Sequence, residues 1–170
     1  MKYNLELLKA DISDELEKLE RLEKEFSAVQ EILDRSEKEM PFYDRAAIGY
    51  YLHNFYSGCE NIFRSIARFF ENDLGSGTWH SDLLKRMKLS IPGFRPAVID
   101  ENLFSQLDDF RAFRHKFRHS YTFELNWEKE RLVATKFPQT CLLLKEQVKR
   151  FLQSLEEVDN LDREKLKVES

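Results

Sequence analysis

A chain of 170 residues with 42% hydrophobic content and 14 Phe has the length of one domain and the aromatic supply for a real core, which excludes a disordered chain. Five Gly and four Pro are too few for a turn-rich sandwich or barrel, so long helices are expected. A net charge of −4 excludes a non-specific nucleic-acid coat, but screening confines fields to about 8–10 Å and leaves room for a local basic cleft.

The opening MKYNLELLKADISDE is acidic and amphipathic, unlike a signal or transit peptide. No apolar run approaches the roughly 20 residues of a membrane span, so a soluble cytoplasmic protein is expected. From Leu5 to Leu33 apolar residues recur at intervals of three and four, which predicts one long helix with DELEKLERLEKEF as its solvated face. Met40-Pro41 interrupts the pattern. A second long helix is predicted from Tyr43 to Glu71, with Ile48, Leu52, Phe55, Cys59, Ile62, Phe63, Ile66 and Phe70 inward. Gly49 and Gly58 are costly there and, with the small Ala46, point to a closely approaching backbone.

DLGSGT reads as a loop, with Ser76 or Thr78 capping a short helix over Trp79 to Met87. SIPGFRP is a second loop, and Asp100 is the expected cap of a helix beginning at Glu101. TFELNWEKERLVATKF lacks helical periodicity and is expected to be extended or irregular. Pro138 suits the first turn of a last helix ending near Glu157. Residues 1–158 are read as one all-α domain, an up-and-down bundle of four to five helices, and 159–170 as a charged tail prone to fray. Cys59 and Cys141 lie far apart with no C-x-x-C, so buried, reduced thiols are expected.

The basic stretch DFRAFRHKFRHSYTF (109–123) stands out. On a helical wheel with Phe110 at zero, Leu103, Leu107 and Phe117 fall within about 60° and form the core face, with Arg114 and Tyr121 beside it. Arginine is rarely buried alone, so Arg114 implies a carboxylate, a phosphate or a shared cleft. Arg111 and Arg118 form a basic flank near 80–100°, while His115 and His119 lie near 140–180°. Two readings stay open at this level: an ordinary core face with a solvated basic face, or a site that handles a phosphate. Arg114 and His119 differ by about 140°, so their convergence requires a bend near residue 118 or a second chain. His53 and His80 have no partners at metal-ligand spacing, so no metal site is expected. His80 is open between a place in the site and a capping or packing role.

Arg114-His-Lys-Phe-Arg-His119-Ser-Tyr121 spells R-x4-H-x-Y. With the long first helix, the second helix YYLHNFYSGCENIFRSIARFF and the WHSDLLKRM element, it makes residues 3–157 resemble the HepT-like branch of the HEPN superfamily. These are ribonuclease toxins paired with an MntA-type nucleotidyltransferase antitoxin. The resemblance implies metal-independent RNA cleavage with no cofactor, by attack of a 2′-hydroxyl on the adjacent phosphate. It assigns His119 as general base and Arg114 as the group holding transition-state charge. It places Arg111, His115, Lys116 and Arg118 on the RNA, and Tyr121 as the acceptor of AMP from the partner enzyme. A homodimer with both motifs facing one cleft is implied as well. The alternatives are a non-catalytic HEPN module that binds a nucleotidyltransferase or nucleotide, and a plain helical interaction protein.

Overall fold

A computed structural model describes residues 2–71 and 79–168, with side chains over 4–70 and 82–168. The expected cap at Ser76 or Thr78 and the side chain of His80 lie outside the described residues. Five α-helices account for most of the rest: α1 (Lys2–Ser27), α2 (Phe42–Glu71), α3 (Trp79–Met87), α4 (Glu101–His119) and α5 (Trp127–Val168). Among the described residues no strand forms, only an isolated bridge between Ile91 and Arg95. No helix there is long and apolar enough to cross a membrane. The all-α, up-and-down bundle read from periodicity is the architecture observed.

Two helix boundaries correct the sequence expectation. The first helix stops at Ser27 rather than running to Leu33, and a 3-10 turn over Gln30–Asp34 follows. The Ser27 hydroxyl donates to the Lys24 carbonyl at 2.6 Å, competing with the backbone for that acceptor. A 3-10 turn repeats every three residues, so Phe26, Val29 and Ile32 keep a spacing that mimics continued α-helix. The larger correction concerns residues 127–137. They are helical, and α5 continues through Pro138 and past Glu157 to Val168. Asn126 starts it, its side-chain oxygen accepting from the Lys129 N–H at 3.0 Å.

α2 is the central helix and packs against the other four. Four phenylalanines from different helices meet at its middle. Phe55 of α2 lies 5.0 Å from Phe110 of α4 and 4.9 Å from Phe137 of α5 (ring centroids), while Phe26 of α1 lies 4.5 Å from Phe137. These edge-on contacts join burial to a preferred geometry and so fix the rotation of α4 about its axis. Gly49 and Gly58 accommodate side chains rather than a second backbone, a further correction. A Cβ on Gly49 would stand 2.5 Å from the Phe117 ring, and one on Gly58 2.7 Å from Leu19. Cys59 and Cys141 are both buried, free thiols.

Candidate active site

Asp100 caps α4 as expected, accepting from the Leu103 N–H at 2.8 Å. Leu103, Leu107 and Phe110 are fully buried, so the inner face of α4 is fixed and its basic flank must face outward. Phe117, expected in that core face, is only half-buried. The last turn carries Lys116, Arg118 and His119, where cations are favoured by the exposed carbonyls. No irregularity interrupts the helix at 117–118. It ends at His119, and Ser120 turns extended with φ −112° and ψ 147°.

Arg114 finds the partner its position demanded. Its Nη1 lies 2.5 Å from Oε2 of Glu60 on α2, with the two side chains 12% and 4% exposed. The guanidinium also sits over the Tyr56 ring, 5.7 Å from its centroid. Arg114 Nε is buried without a hydrogen-bond partner, so the ion pair with Glu60 is what fixes the group. Burial raises the Tyr56 hydroxyl far above its usual range, with the Glu60 charge adding to the effect. Tyr56 therefore stays neutral under Arg114.

Glu60, Arg111, Arg114, His115, Arg118 and His119 line one shallow cleft of about 70 Å³. Its α4 members follow the spacing i, i+3, i+4, i+7, i+8, one continuous flank of a straight helix. The separation of Arg114 and His119 is thus spanned by the width of the cleft, and of the two alternatives the bend near residue 118 is absent. Arg111 is oriented by Asp108 at 2.7 Å, and the His115 and His119 rings lie 5.0 Å apart. Arginines and imidazoles together can hold a phosphate and move protons beside it. The volume is far below the roughly 300–1,000 Å³ of pockets that enclose a whole small ligand.

Two site residues predicted from sequence lie elsewhere. Lys116 faces the opposite flank of α4, in a groove against α5. Tyr121 lies beyond the helix rather than on its inner face. It is 70% exposed, stacks on Phe123 at 5.4 Å, and its N–H donates to Glu124 Oε2 at 2.7 Å. Glu60, Tyr56 and His53 were missed. His53 stacks with Tyr50 and Phe117, and its pKa is lowered by burial and then by Arg114 and Arg118. Glu60 left a signal: between Arg45 and Arg64 it is the one Asp, Glu, Lys or Arg. A lone acid beside an apolar stripe is the natural counterpart of a lone arginine beside another.

A family model described as HepT-like protein matches residues 47–155, a span that contains most of α2, all of α3 and α4, the cleft and most of α5. No curated protein and no solved structure matches the chain. The family is of HEPN toxin type and generally nuclease-related. With nearly two-thirds of its length matched, and with the helical bundle that the match implies, the chain belongs to the HepT-like family of the HEPN superfamily.

Proposed function

We propose that this protein is a metal-independent endoribonuclease, the toxin of a toxin–antitoxin pair. The observation that carries the reading is the cleft in which Arg114, fixed by Glu60, stands on the same flank as His115, Arg118 and His119. In the proposed reaction His119 takes the proton of a ribose 2′-hydroxyl. The 2′-oxygen then bonds to the adjacent phosphorus and the bond to the 5′-oxygen breaks. A 2′,3′-cyclic phosphate forms, and the leaving 5′-oxygen receives a proton from a protonated imidazole, for which His115 is the neighbour. Negative charge gathers on the phosphoryl oxygens in the transition state, and the Arg114 guanidinium stabilises it. Arg111 and Arg118 add phosphate contacts that weaken with salt. The small volume of the cleft supports a homodimer in which a second copy supplies the rest of the binding surface.

The decisive experiment is induced expression of wild type beside Arg114→Ala and His119→Ala, with growth and total RNA as readouts. Wild type arrests growth and degrades RNA, while each variant loses about 10²–10⁴-fold in cleavage rate, the usual contribution of a positioned acid–base group. Wild type that leaves growth and RNA intact, or variants as toxic as wild type, would sink the reading.

Regulation is proposed to act through Tyr121. The partner MntA-type nucleotidyltransferase transfers AMP from ATP to its hydroxyl, with attack at the α-phosphorus and release of pyrophosphate. The 70% exposure of Tyr121, two residues beyond His119, supports access by an enzyme, and an added phosphate would compete with RNA for the arginines. Intact-mass measurement after incubation with that enzyme and ATP is expected to show one adenylate, absent in Tyr121→Phe. An adduct mapped to another residue removes Tyr121 from the account.

A further inference from the structure

We propose that the groove between α4 and α5 binds an unpaired nucleobase of the RNA; this rests on the ribonuclease reading and extends it to the single-stranded character of the substrate. The groove has a volume of about 360 Å³, within the ordinary range for a small-ligand site, about 300–1,000 Å³. It lies on the flank of α4 opposite the Arg114–His119 cleft. Phe113, Phe117, Leu125, Leu132 and Val133 give it apolar and aromatic walls. Lys116, Lys129 and Lys136 stand around it, with Asp109 as the one acid besides Glu130. Asp109 is engaged by Lys136 at 2.7 Å. Among the described residues neither Lys116 nor Lys129 has a carboxylate within ion-pair reach. A flat π-face, an apolar wall and two spare ammonium groups match a nucleotide better than an uncharged apolar peptide.

Two independent features point to a ligand. Glu130 belongs to the lining, is 1% exposed, and its carboxyl has only the Gly49 backbone N–H directed at it, short of a well-formed hydrogen bond. A buried polar group without a partner costs about 1–3 kcal/mol, and a base edge, rich in donors and acceptors, can supply what is missing. Burial pushes this carboxyl up to about 8, against the opposing pull of Arg45, so at neutral pH it carries a proton and both donates and accepts. The second feature is a run of rings leading from α2 into the groove. Tyr50 and His53 stack at 6.1 Å, His53 meets Phe117 at 6.0 Å, and Phe117 stacks on Phe113 at 5.7 Å. His53 feels the charges of Arg114 and Arg118, and from it the rings lead through Phe117 to Phe113 in the groove. Aromatic steps flanked by cations are how single strands are held without base pairing.

The test uses the full-length protein carrying His119→Ala, and fluorescence anisotropy with a single-stranded RNA that wild type cleaves. An abasic nucleotide is placed at each position in turn. One position is expected to lose about 5- to 150-fold in affinity, the equivalent of one stacked base. Leu132→Glu, at a residue 64% exposed and so tolerant of replacement, is expected to weaken binding and abolish the sensitivity of that position. An unchanged unfolding midpoint confirms that the variant folds. A flat abasic scan, or Leu132→Glu binding as wild type does, overturns the proposal. A flat scan accompanied by loss of self-association in Leu132→Glu assigns the groove to a second copy of the chain and overturns it too. RNA cleavage and binding with a flat scan remove the groove alone, whereas absence of any RNA cleavage removes the ribonuclease reading with it.

Discussion

Glu60 and Arg114 stand in a low-dielectric seam between α2 and α4, where the ion pair between them holds the arginine's charge. Removing the acid of such a pair leaves the buried cation uncompensated, which costs about 3–5 kcal/mol, whereas removing both costs much less. Glu60→Ala and Arg114→Ala are each expected to lower stability to urea by a few kcal/mol. The double variant is expected to lie well short of the sum, because the coupling is counted twice in the singles. Additive losses in the denaturation midpoints would show that the 2.5 Å contact carries no coupling. At this scale the sequence was half legible. Wheel geometry placed Arg114 beside the core face and demanded a partner. That the partner is Glu60 depends on how α2 and α4 are rotated about their axes, which one helix cannot reveal. Tyr121 was misplaced because the wheel assumed helix beyond His119, while the chain turns extended at Ser120.

Among the elements, α5 shows how a buried acid hides a helix. Trp127, Glu130, Ala134, Phe137, Cys141, Leu144, Val148 and Phe151 are all buried, and their spacing of three and four is unbroken. Glu130 and the small Ala134 occupy two early places in that stripe, so the apolar count falls where the helix begins. Pro138 then offered a false start, although within α5 it removes only one hydrogen-bond rung. The cost of Glu130 predicts a pH dependence. Its carboxyl titrates at about 8 in the fold and near 4.3 when unfolded. The folded state therefore keeps its proton longer, and as pH rises from about 4.5 to 8 the unfolded state is favoured progressively, with a plateau above. Glu130→Gln removes the ionisable group and this slope. Its stability relative to wild type is expected to grow across that window, reaching roughly 2–4 kcal/mol at pH 8. Urea denaturation at pH 5, 6.5 and 8 measures it, and a difference independent of pH would mean that Glu130 does not titrate in this range.

For the molecule as a whole, the bundle was legible because amphipathic stripes report fold class wherever they are long, and three of the five helices begin within a residue of their predicted starts. Where the globular unit ends is decided by tertiary contact, which periodicity does not report. The buried stripe of α5 closes at Phe151, with Leu152 and Leu155 packed against the core behind it. Lys9 of α1 reaches Glu156 in an ion pair. Farther on, Val158, Leu161, Leu166 and Val168 are each more than half exposed, and Arg163 pairs with Asp159 within the same helix. A helical segment of this kind is held by its own backbone and local pairs, worth a few tenths of a kcal/mol each. The boundary proposed at residue 158 therefore carries a quantitative consequence. Deleting 159–170 is expected to change the unfolding free energy by less than about 1 kcal/mol and to leave the near-ultraviolet signature of the core aromatics unaltered. Truncation ten residues earlier removes Phe151 and Leu152 and is expected to cost several kcal/mol, since large buried side chains contribute about 2–5 kcal/mol each. Equal losses from the two deletions would place the end of the domain at the end of α5, with the exposed leucines engaged in a contact that one copy of the chain does not make.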